Sequence, residues 1–304
     1  MIRFESLQII LRGRTCSVDF ETAMKISVVL NLLNEKRHVR DLLDSLVVQE
    51  GPVEIVVVDA GSGDGTLEII KAYAEKHPDI WLHRHPGTRG ESTNFGISQA
   101  TGDAVATIGG DCIANPFWVS ELRKSLREHD IVAGKTINIG YHAFEDLRRV
   151  ELFHRGMDIS HPSASMAWKK GVLDAVEGFD PWFVTAEDID INLRAVSMGY
   201  SLGVNENALV YHRTKGSFKG FFKQAFWNGW GRKQLTMKHG RLWSSYKPTR
   251  LFETSKSIWA VSRLAVAVVG YLMCKLFETP PEGGDKSKQK RSRTGKSSLL
   301  FPGR

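Results

Sequence analysis

Short apolar runs alternate along the first two thirds of the chain with stretches whose apolar residues recur at helical spacing. The run Lys25–Asn31 reads as a buried strand of the parallel type. Val39, Leu42, Leu43, Leu46 and Val47 then share one helical face. Val53–Asp59 is nearly continuous and β-branched, so it predicts a second buried strand. Glycines at 61, 63 and 65 break it, and Thr66 is placed to cap a helix in which Leu67, Ile70 and Tyr73 align. The alternation continues with a strand at Trp81–His83, a helix over about 91–100 and a strand at Ala104–Ile108. A helix near 116–127, a strand at Ile131–Val132, a helix opening at Ala186–Arg194 and a strand at Ala208–His212 complete it. Residues 141–186 are irregular and predict a mobile acceptor-side loop. Their histidines, His142, His154 and His161, lack partners at ligand-like spacing and do not predict a metal site. Residues 1–23 show no clear periodicity and read as an extension.

Strand–helix alternation of this kind builds βαβ units and a mainly parallel sheet covered on both faces. Ligands of open α/β sheets bind beyond the C-terminal ends of the strands. That rule selects Asn34-Glu35, Asp59–Gly65 and Gly109–Asp111, each directly following an apolar run. Asp and Gly are also ordinary turn formers after a strand; what favours a site is that all three segments fall at corresponding positions.

Charge divides the chain. Residues 1–212 carry 21 Lys and Arg against 30 Asp and Glu, whereas residues 213–250 carry ten basic residues and no acid. The net +7 therefore belongs to the C-terminal part, which favours an anionic partner: lipid, nucleic acid or a phosphorylated substrate. Three widely spaced cysteines, Cys16, Cys112 and Cys274, imply neither a disulfide framework nor a zinc knuckle and fit a reducing compartment. No cleavable leader is evident in the opening residues.

Several motifs then follow in a telling order. SVVLNLLNE (27–35) resembles a first-strand P-x-x-N-E element, without its proline and with Leu33 inserted. VVVDAGSGDGT (56–66) resembles VVDDGSTDGT, with Ala60 in place of the second Asp. RGESTNFGISQATGD (89–103) resembles the stretch that leads to a metal-bearing strand end, and TIGGDCIANPFWV (107–119) resembles FLDADCIPDPDWL. GFDPWFVTAEDIDINLR (178–194) resembles the acceptor-side GGFDE…EDxDLxxR element. ALVYH (208–212) and GFFKQAFWNGWGRKQ (220–234) resemble a histidine-bearing strand and a basic aromatic segment. Together these resemble a membrane-associated family 2 glycosyltransferase of the GT-A fold over about residues 25–235. The resemblance implies a nucleotide-diphospho-sugar transferase with a Rossmann-like mixed sheet.

For glycosyl transfer the nucleotide must be held, the leaving diphosphate stabilised and the acceptor hydroxyl deprotonated. The resemblance places Asp59 against the base, where a carboxylate accepts an imide N–H. Asn34, Glu35 and Gly110 stand beside it as donor-binding residues, and Arg89 as a positioner of diphosphate or sugar; Glu35 also reads as an acid at a helix start, and Arg89 as a solvated loop residue. Asp111 and His212 are the candidate ligands of a divalent ion, Mn2+ or Mg2+, bridging diphosphate oxygens. Gly109 replaces the first Asp of the D-x-D pattern, which leaves the donor open. His212 could equally be a core histidine. Asp188 is the candidate general base, with Glu187 and Asp190 crowding it and raising its pKa; an acidic helix start is the plain alternative.

The domain reading is an N-terminal extension 1–23, a catalytic domain 24–212 with halves meeting near 112, a basic aromatic interfacial segment 213–255, an apolar membrane-associated helix 256–279 and a disordered basic tail 280–304. Arg263 interrupts the apolar stretch Ile258–Phe277, and its longest clean run is shorter than the ~20 residues of a span. A full span would also place the basic tail outside, against the positive-inside tendency. The pattern favours an in-plane or re-entrant helix at the cytoplasmic face of a membrane, with a single span as the alternative. The functional expectation is an inverting transferase using a UDP- or GDP-type sugar on a glycan or lipid-linked acceptor. The alternatives are a non-catalytic nucleotide-sugar binder and a basic peripheral membrane or nucleic-acid-binding protein. No nucleic-acid partner is expected, since that reading leaves the strand-end carboxylates idle.

Overall fold

The computed structural model describes residues 7–11, 14–18, 24–140, 149–214, 217–240 and 258–279. Leu7–Leu11 (β1) and Arg14–Val18 (β2), within the expected N-terminal extension, pair as antiparallel strands. The apolar runs become Ile26–Leu32 (β3), Val53–Asp59 (β4), Ile80–Arg84 (β5) and Ala104–Ile108 (β6), parallel neighbours in the order β5-β4-β3-β6. Between them run the helices Val39–Leu46 (α1), Thr66–Ala74 (α2) and Arg89–Gln99 (α3). Cys112–Ala114 (β7), Trp118–Ser125 (α4) and Ile131–Ile139 (β8) follow. Phe153–His154 (β9) and Met157–Asp158 (β10) make a small separate hairpin.

Residues 149–186 correct the loop expectation, while 141–148 lie outside the described residues. Within them Ser165–Lys169 (β11) inserts antiparallel between β6 and β8, at the centre of the eight-stranded sheet, and Lys170–Ala175 (α5) follows. The apolar residues Met166, Ala167 and Trp168 are buried on both faces, so no period-two signal marks this strand. Glu187–Met198 (α6) leads to Leu202–Arg213 (β12), parallel to β8 and antiparallel to β7. Phe218–His239 (α7) and Ile258–Phe277 (α8) close the described chain.

Strand alternation divides the core. Val28, Leu30 and Leu32 of β3 pack with α1, α2 and α4, whereas Val29 and Val56 pack with α3, α5 and α6 on the other face. Gly96 lets α3 lie directly on the sheet: a Cβ there would meet the Val29 side chain at 2.6 Å. Helix α3 opens with a capping box, Thr88 accepting from the Glu91 N–H while Glu91 accepts from the Thr88 N–H. Thr66 is not the cap of α2. Gly65, at φ 97°, holds that place, and Asp64 accepts from both the Thr66 amide and hydroxyl.

Candidate active site

The ends of β3, β4 and β6 open onto one crevice. At the end of β3, Asn34 is left-handed at φ 57°, which Asn tolerates. Its N–H donates to Ser62 Oγ and its side chain accepts from the Gly63 N–H, both at 2.9 Å. The Glu35 N–H donates to Thr66 Oγ1 at 2.9 Å and the Lys36 N–H to Asp64 at 3.1 Å. The turn after β3 and the glycine-rich turn 61–65 are thus laced into one rim. Gly110 lies under the Glu35 side chain, where a Cβ would come within 2.9 Å of Glu35 Cγ.

Asp59, the carboxylate expected against the base, ends β4. It is fully buried, its oxygens accept from the Gly61 and Ser62 amides, and Arg84 Nε stands 3.9 Å away. The carboxylate holds the turn. A strand-end Asp with Gly61 and Ser62 two and three residues on is well suited to this, because a short acceptor can reach forward over its own turn.

Asp111 and His212 do meet, with His212 Nε2 3.5 Å from Asp111 Oδ1. The pairing of β12 with two strands brings them together. His212 lies opposite Cys112 across β7 and opposite Asn138 across β8. Asn138 Oδ1 is 3.0 Å from His212 Nδ1, so an Nδ1–H donates to it and Nε2 is the ring nitrogen that faces Asp111. An oxygen and an imidazole nitrogen at this spacing suit a hard divalent ion. Among the described residues no three His, Cys, Asp or Glu side chains cluster to hold an ion alone. Gly109 packs tightly: a Cβ would lie 3.0 Å from Cys112 Sγ and 3.2 Å from Asp111 Oδ1.

The acidic start of α6 forms the opposite wall. Glu187 is buried and pairs with Arg89 at 3.2 Å. The Arg89 pKa is raised by Glu187 first, with Asp188 and Asp111 adding to it, so this guanidinium lies between the two halves of the site. Asp188 accepts from the Ser163 N–H at 3.1 Å and from the Ile189 N–H at 2.8 Å. Burial and then the Glu187 charge push its pKa up to about 6, against the lowering pull of those amides and Arg89.

Asp190 does not contribute to the crowding expected of it. It points away, fully buried, onto Arg194, Lys238 and His239. Two contributors escaped sequence reasoning, Asn138 and Ser163. Asn138 would have been selected by the strand-end rule had β8 been read to its full length. Ser163 acts through its backbone amide, which leaves no residue-type signal.

The mixed, mainly parallel eight-stranded sheet is that of the GT-A fold. Residues 27–179 match the family described as Glycosyl transferase family 2, and the chain belongs to that family. An uncharacterized glycosyltransferase of Nostoc sp. is 29% identical over 214 residues, 64% of this chain and 66% of that protein. The chain thus spans just under two thirds of that relative. Two solved structures share the fold. Staphylococcus aureus TarS in complex with UDP-GlcNAc is 18% identical with a TM-score of 0.56, covering 83% of this chain and 81% of that one. The mannosyltransferase PcManGT of Pyrobaculum calidifontis, in complex with GDP-Man and Mn2+, is 20% identical with a TM-score of 0.57, covering 84% and 76%.

Proposed function

We propose that this glycosyltransferase moves a sugar from a UDP- or GDP-type donor to a glycan or lipid-linked acceptor, with inversion, at the cytoplasmic face of a membrane. One observation carries the reading: a carboxylate of raised pKa, Asp188, faces the same crevice as the Asp111–His212 pair, with Arg89 between them. The similar folds seen with UDP-GlcNAc and GDP-Man support a nucleoside-diphosphate donor.

Asp188 receives the acceptor hydroxyl proton as that oxygen attacks the anomeric carbon in line with the departing diphosphate. Its pKa near 6 keeps it ionised at neutral pH yet basic enough to share the proton in the transition state. Ser163 and Ile189 amides fix its orientation, and Glu187 holds Arg89 toward the diphosphate. Asp111 and His212 would hold a divalent ion. That ion would neutralise charge developing on the leaving oxygens. Glu35, Asn34 and Gly110 form the rim that receives the nucleotide, and Asp59 serves that rim from beneath.

Turnover of radiolabelled nucleotide sugars with a membrane extract tests this. Asp188→Asn should slow transfer by about 10²–10⁴-fold; wild-type turnover in that variant would remove Asp188 from the mechanism. A second reading, a non-catalytic nucleotide-sugar binder, is favoured by Gly109 standing where a donor-contacting Asp is usual. It predicts donor binding with no turnover under any acceptor.

A further inference from the structure

Helix α8 has one covered face and one bare one. Ala260, Gly270 and Cys274 are buried, while Val261, Leu264, Val268, Leu272 and Leu276 lie between 49% and 72% exposed. Those five recur at three- and four-residue steps, so they form a continuous apolar stripe about 22 Å long. Neither α7 nor α8 contains an acidic residue, and Lys219, Lys223 and Lys275 are exposed around them.

The covered face lies along α7. Phe218 stacks on Trp259 at 5.1 Å near the starts of both helices, and Lys233 Nζ sits 5.4 Å over Tyr271 farther along. Between these points the backbones touch. A Cβ on Gly229 would fall 1.8 Å from the Ala267 carbonyl oxygen, and one on Gly270 2.0 Å from that of Phe226. Such close glycine contacts leave little room for sliding. The other side of α7 grips the loop before Asp188. Thr185 Oγ1 donates to the Trp227 carbonyl at 2.7 Å. Gln234 accepts from the Val184 N–H and donates to the Trp182 carbonyl, and Lys238 pairs with Asp180.

We propose that α8 seats in the plane of an anionic lipid surface and that α7 transmits this contact to loop 180–187, ordering the segment that carries Asp188. Packing against α7 along its length argues for an in-plane seat, because a span would carry the exposed Lys223, Gln224 and Asn228 of α7 into hydrocarbon. The stripe supplies apolar area and the acid-free helices supply charge complementarity. The catalytic consequence rests on the proposed glycosyl transfer, whereas binding and ordering do not.

The test uses the full chain with vesicles of phosphatidylglycerol and phosphatidylcholine, without detergent. Wild type should sediment with anionic vesicles, and the Leu264→Glu/Leu272→Glu double variant should not. On binding, hydrogen exchange at the Val184 amide should slow roughly tenfold. Gln234→Ala and Thr185→Val should still sediment but lose that protection, which separates the strap from the seat. Failure of wild type to sediment would overturn the proposal. So would sedimentation of the double variant, unchanged Val184 exchange on vesicles, or a stable dimer through α8 that vesicles cannot dissolve. None of these readouts needs turnover, so a protein that binds, orders and fails to transfer sugar would count only against the proposed activity.

Discussion

Asp188 and Asp190 stand two residues apart on α6 and occupy opposite environments. Asp190 is buried, which raises its pKa, but His239, Arg194 and Lys238 outweigh burial and hold it below the usual carboxylate range. Asp188 is partly buried beside another carboxylate, and desolvation and that charge push it up to about 6. The sign matters for activity: below about pH 6 the base is protonated, so turnover should fall about tenfold per pH unit. Above that it should level off. Asp188→Asn should lose this limb from its residual pH profile. Asn138 acts at the same scale through its neighbour. Asn138→Leu removes the acceptor that sets the His212 tautomer, so Mn2+ affinity measured directly by electron paramagnetic resonance should weaken about 10–100-fold. Unchanged Mn2+ affinity would sever Asn138 from the site.

Elements are held in place by buried polar ties remote from the crevice. Glu54 on β4 accepts from Lys25 and Ser27 of the β3 region and from Thr101 after α3. Burial raises its pKa, yet these hydrogen bonds bring it down to about 2. A depressed carboxylate pKa stabilises the fold above the unfolded value near 4.5, and that stabilisation disappears as pH falls from there to about 2. At neutral pH its ceiling is about 3 kcal/mol. Glu54→Gln should therefore lower Tm at pH 7, with the gap to wild type narrowing below pH 4 in a thermal-melt series. Register is set at this scale too. The pairing of β12 with β8 shifts between Asn205 and Leu209, and only beyond that irregularity does His212 fall beside Asn138.

Across the whole molecule, three segments far apart in the chain converge: the rim from the first half, Asp111 with His212, and the α6 start braced by α7. A nucleotide held by all three should stabilise the folded state. With UDP or GDP at a hundredfold over its Kd, the gain is about 2.7 kcal/mol. The rise in Tm should require Mn2+ or Mg2+ and shrink in His212→Ala. A metal-independent shift of the same size would place the nucleotide away from Asp111 and His212.

The alternation of buried runs and amphipathic faces, the strand-end sites and the acidic opening of α6 were legible in residue order, because burial on a strand or helix face repeats over a few positions. Motif order further identified the family. Other features depended on contacts that no local period records. Strand β11 is buried on both faces and hides in an irregular stretch; its central place exists only through pairing with β6 and β8. Asp59 has the residue type of a ligand-binding group, yet its own turn claims both oxygens. Asp190 has the type of a crowding acid, yet Lys238 and His239 arrive from α7 to neutralise it. Residue order determined which chemistry was available, and tertiary structure decided which carboxylates kept it, since a side chain's remaining valence depends on what the fold brings within three ångströms.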